Sequence, residues 1–85
     1  MSRLISSIPL AFPLICTDRT LVTMGDAVRL CSEMTPEQRE EYGWKLAIHM
    51  LNTAIKEPRY ITAATITLQT ALTLSRMLAK PPQIL

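Results

Sequence analysis

The apolar positions along this chain change period as it proceeds, and the changes predict a short hairpin followed by three helices. Pro13–Cys16 and Thr20–Val22 are two β-prone runs flanking Thr17-Asp18-Arg19. An Asp at a turn start can accept nearby backbone amides, so the pair reads as a β-hairpin. A two-stranded hairpin is not stable alone in water and has to pack on a helix. Ala27, Leu30, Cys31 and Met34 then recur at intervals of three and four, the mark of a first helix with one core-facing stripe. Thr23-Met24-Gly25-Asp26 announces it: the Thr hydroxyl caps an amide of the first turn and Asp26, three residues on, reaches back in a variant of the capping box.

Thr35-Pro36-Glu37-Gln38 is the strongest start signal in the sequence, with an N-cap, a proline in the first helical position and Gln three after the cap. It opens a second helix with Trp44, Ala47, Ile48, Leu51 and Ile55 on one face. Glu41, Lys45, His49, Asn52 and Lys56 lie on the other, Glu41 and Lys45 at the favourable four-residue spacing. Glu57-Pro58 ends it. A third helix is expected from about Tyr60 to Ala79, stopped by Pro81-Pro82. Its many threonines weaken helix propensity and would allow a strand over Thr65–Leu68. The spacing decides for helix: Thr62, Thr65, Gln69, Thr73, Arg76 and Lys80 form one narrow polar stripe, and the remaining circumference is apolar. Such a helix is a buried one.

Residues 1–12 read as an extended arm, because Pro9 and Pro13 remove donors and bias their predecessors away from helix. Residues 13–80 form one ββααα domain and 81–85 a tail, giving an α+β fold that is mostly helical. Eighty-five residues bury a modest fraction of their surface. Two cysteines, Cys16 and Cys31, offer no disulfide framework, so oligomerisation or binding is the expected reinforcement. Two partner helices and a hairpin cover one broad side of the last helix but not two. The surplus predicts an interface, most simply a homodimer, with Ile66, Thr70, Leu74 and Met77 at the contact. The competing arrangement has the N-terminal arm covering that side within one chain.

Charge and candidate chemistry narrow the function further. The formal charge is +2, too slight by itself to imply nucleic acid. After Pro58 there are no acids, only Arg59, Arg76 and Lys80, which makes a DNA-binding accessory or transcriptional regulator the alternative reading. Helices one and two could mimic a helix-turn-helix, but Glu37, Glu40 and Glu41 stand where a recognition helix would enter a groove. Cys16, Cys31 and His49 form no metal-ligand pair of suitable spacing, and no nucleophile sits beside a base. Gly25 and Gly43 lie in no phosphate-cradling loop. No enzyme activity, metal or cofactor is expected. The uncharged Leu4–Cys16 stretch is broken by prolines and lacks a cleavage site, and Ile61–Ser75 is too short and too polar to span a bilayer. The expectation is a cytoplasmic, non-catalytic protein-interaction module without membrane contact.

The order of elements also resembles a known family. Phe12-Pro13-Leu14, Arg19-Thr20-Leu21-Val22-Thr23, Asp26-Ala27, Leu30, Trp44, Ala47, Ala54, Ala63-Ala64 and Ala71 carry the likeness, which covers most of the chain from Phe12 onward. Together they resemble the small alphaproteobacterial, rhizobial-type proteins grouped as domain of unknown function nine hundred and eighty-two. Where such proteins often have Trp-Pro between the first two helices, this chain has Met34-Thr35-Pro36. The resemblance implies two strands and three helices and attaches no activity.

Overall fold

In a computed structural model of the chain, residues 8–78 are described. The fold is α+β and mostly helical. Strands β1 (Pro9–Ile15) and β2 (Thr20–Thr23) pair antiparallel. Helices α1 (Met24–Ser32), α2 (Pro36–Glu40) and α3 (Tyr42–Lys56) follow, then a 3₁₀ turn (Pro58–Tyr60) and α4 (Ile61–Leu74).

The hairpin forms where the sequence places it, but its first strand begins at Pro9, inside the stretch assigned to the arm. The prolines permit this because Pro9 is the first residue of the strand and Pro13 lies in an irregular part of its ladder. Pro9 pairs with Thr23 and Leu14 with Leu21, so β1 carries extra residues between the two pairs. That bulge turns Leu10 and Leu14 inward while Ala11, Pro13 and Ile15 stay outside. The rest of the arm, residues 1–7, and the tail lie outside the described residues.

Both capping boxes are present. Thr23 accepts the N–H of Asp26, and Asp26 Oδ2 accepts the N–H of Thr23 in return. Thr35 and Gln38 exchange the same pair of bonds. The second helix nevertheless divides in two. Glu41 is extended, with ψ at 141°, and separates α2 from α3. No residue of α2 is buried, so nothing holds this turn coaxial with the part of the helix that packs. Lys45 accordingly meets Glu40 at 3.5 Å instead of Glu41. Gly43, taken from the sequence as a mid-helix residue, falls in the first turn of α3.

The last helix stops at Leu74, five residues before the expected Ala79. Arg76 takes φ of 59°, the N–H of Met77 bonds to Leu72 O, and that of Arg76 to Thr73 O. This is a Schellman termination with arginine in the position usually held by glycine. The chain then turns back: Thr17 N–H donates to Met77 O, and Leu78 bridges antiparallel to Cys16. One core unites all elements except α2, with Tyr60 of the 3₁₀ turn packed against it and Leu21, Met24, Trp44, Ala47, Leu68 and Leu72 at its centre. The longest packing contact is α3 against α4.

Candidate interaction surface

The exposed side of α4 differs from the polar stripe that the spacing suggests. Thr65, expected on the wet edge, is fully buried. Its hydroxyl donates to Ile61 O at 2.8 Å and accepts the N–H of Ala11 at 3.1 Å. The bulge in β1 leaves that amide without a ladder partner, and the threonine supplies one. Burial of Thr65 rotates the helix about its axis, so β1 covers one flank and α3 another. Thr62, Ala63, Ile66, Thr70 and Leu74 are left outside.

Ile66 is 50% exposed and Leu74 is 71% exposed, with Thr70 between them at four-residue spacing. Met77, grouped with them from the sequence, is part-buried against the core instead, because the Schellman turn folds it back. Leu74 lies beside the start of α3: a methyl group placed on Gly43 would sit 3.6 Å from Leu74 Cδ1. The α4 stripe therefore runs up to a second exposed apolar pair on α3, Tyr42 at 81% and Leu46 at 40% exposure. Tyr42, Lys45, Leu46 and His49 line a shallow, almost wholly apolar recess there.

The threonines on this side are chemically quieter than they look. Thr67, Thr70 and Thr73 donate their hydroxyl protons to Ala63 O, Ile66 O and Gln69 O at 2.7, 3.0 and 2.8 Å. Back-bonding of this kind spends the donor inside the helix. A partner could then cover the surface without stranding those groups, which is the usual cost of burying a hydroxyl. The helix also carries no charged residue over its 14 positions. This internal bonding has no signature in the residue pattern, which places Thr73 on the wet edge and Thr70 at the contact.

The strand edges offer less. Val22 N–H on β2 donates to Asp26 Oδ2, Pro13 on β1 has no N–H, and β1 is flanked by Thr65 and by Leu78. Edges occupied in this way resist addition of another strand.

Among the described residues, Arg59 and Arg76 do not come together. Arg59 stands at the start of α4, paired with Glu57 at 3.0 Å and stacked over the Tyr60 ring. Arg76 closes the other end, about 25 Å away along the axis at 1.5 Å per residue. Lys80 lies outside the described residues. His49 is exposed, as its spacing implies. Cys16 and Cys31 are free and buried, and desolvation raises both thiols, Cys31 to about 11. Among the described residues no group of three potential metal ligands comes together, and every buried side-chain N or O has a partner. No helix among them is long and apolar enough to cross a membrane. Comparison with protein-family models, curated proteins and solved structures finds no match for this chain.

Proposed function

We propose that this protein is a non-catalytic interaction module that self-associates through the exposed side of α4. The observation that carries the reading is the Ile66–Thr70–Leu74 stripe. Two large apolar side chains stand half or more exposed on either side of a threonine whose hydroxyl is already bonded within the helix. Such a surface gains by losing water and has little polar bonding to give up. Tyr42 and Leu46 extend it onto α3. The buried thiols, whose burial keeps them protonated, support a structural role for both cysteines. The likeness to the family of unknown function described above rests on the sequence and brings no activity with it.

Light scattering after size exclusion tests the reading. The mass is expected to rise with concentration from that of the 9.5 kDa chain to twice that value. A constant single-chain mass up to high micromolar concentration would overturn it.

A further inference from the structure

We propose that residues 35–42 are a local-opening segment: α2 unfolds and refolds while the core on either side of it stays closed. Every residue of 35–42 is exposed, and the segment is anchored at its ends by buried Met34 and, one residue beyond Gly43, buried Trp44. Helices shorter than ~12–15 residues are marginal alone in water and draw their stability from packing an apolar face. α2 has five residues and buries none of them. It therefore lacks the term that keeps α1, α3 and α4 folded.

What holds the segment closed is short-range and open to water. Thr35 N–H donates to Gln38 Oε1 at 3.0 Å, Gln38 N–H to Thr35 Oγ1 at 3.2 Å, Arg39 N–H to Thr35 O at 3.1 Å and Glu41 N–H to Gln38 O at 3.2 Å. Water replaces each of these when the turn opens, so their net contribution is small. The Lys45–Glu40 pair is mostly exposed on both sides, which makes it a weak clasp. Glu41 is already extended, so the helical ladder is interrupted there and opening stops short of α3. The rest of the fold is joined without α2. Ala11 N–H donates to Thr65 Oγ1, Thr17 N–H donates to Met77 O, and Leu78 bridges to Cys16. Opening leaves these bonds and the core in place, and the freed stretch is where an enzyme that binds extended chain reaches the folded protein.

Amide hydrogen exchange of the full chain, read residue by residue by NMR at urea concentrations below the unfolding transition, tests this. The amides of Gln38, Arg39 and Glu41, although hydrogen-bonded, are expected to be protected by less than about tenfold, at rates that urea does not move. Those of Leu51, Leu68 and Leu72, inside α3 and α4, are expected to be protected at least about a hundredfold more and to exchange faster as urea rises. Protection of Arg39 and Glu41 equal to that of the core, with the same urea dependence, would overturn the proposal, since α2 would then open only with the whole chain. Brief digestion with a protease of broad specificity gives an independent reading. The first cut between residues 8 and 78 is expected within 35–42, and a first cut at the hairpin turn, Thr17-Asp18-Arg19, would contradict it.

Discussion

Asp26 holds together the junction between hairpin and first helix. Its Oδ2 accepts the N–H groups of Val22 at 2.9 Å and Thr23 at 3.1 Å, and these bonds hold its carboxyl below the ordinary value of 3.8. A carboxyl depressed in the folded state adds stability that is present above its unfolded pKa and lost as pH falls through the folded one. Asp26→Asn is therefore expected to be less stable than the unmodified chain at pH 7. The difference should shrink below pH 3.8, as urea titrations at a series of pH values would show. A gap independent of pH would contradict the assignment. Thr65 is the second residue with a disproportionate role, since it joins α4 to the bulge of β1. Thr65→Val keeps the shape and strands the Ala11 amide, so a loss of about 1–3 kcal/mol is expected in urea denaturation. Thr65→Ser, which retains the hydroxyl, should lose less. Equal losses would place the effect in packing instead of the hydrogen bond.

At the scale of elements, the ends of helices were legible where a side chain makes the cap and illegible where the backbone alone does. Thr23-Met24-Gly25-Asp26 and Thr35-Pro36-Glu37-Gln38 carry their caps in residue type, and both boxes form as read. The end of α4 carries no such sign, because an arginine occupies the left-handed position. What stops the helix is tertiary: Trp44 Nε1 donates to Ser75 Oγ at 2.8 Å, and Met77 and Leu78 pack back onto the core. A left-handed conformation costs a side-chain-bearing residue roughly 1–2 kcal/mol relative to glycine. Arg76→Gly is accordingly expected to raise the thermal midpoint, and a lowered midpoint would contradict the termination described. The break at Glu41 was hidden for the opposite reason. Pro36–Glu40 reads as the first turn of a longer helix, yet it has nothing to bury, so continuity with α3 gains no packing. Gly43 proves not to be forced by space, since the nearest atoms to an added methyl lie at 3.6–3.8 Å, ordinary contact distance. Gly43→Ala should fold normally and gain less than the roughly 1 kcal/mol of an interior helix position, because Gly43 stands in the first turn.

At the scale of the whole molecule, the question raised by the apolar last helix has a divided answer. The strand beginning at Pro9 and the helix α3 each cover a flank of α4, and Leu10, Ile8 and Phe12 join the core from the former arm. The side bearing Ile66, Thr70 and Leu74 remains outside. The apolar circumference of α4 was legible in the spacing of its residues. Its rotation was not, because Thr65 looks polar until its two hydrogen bonds are seen. The most direct measurement is the solution mass of Leu74→Asp beside the unmodified chain at equal concentration. Leu74 is 71% exposed, so a charge there is expected to leave the fold intact by circular dichroism while reducing the mass from dimer to single chain. A Leu74→Asp protein that keeps the dimer mass would contradict the account.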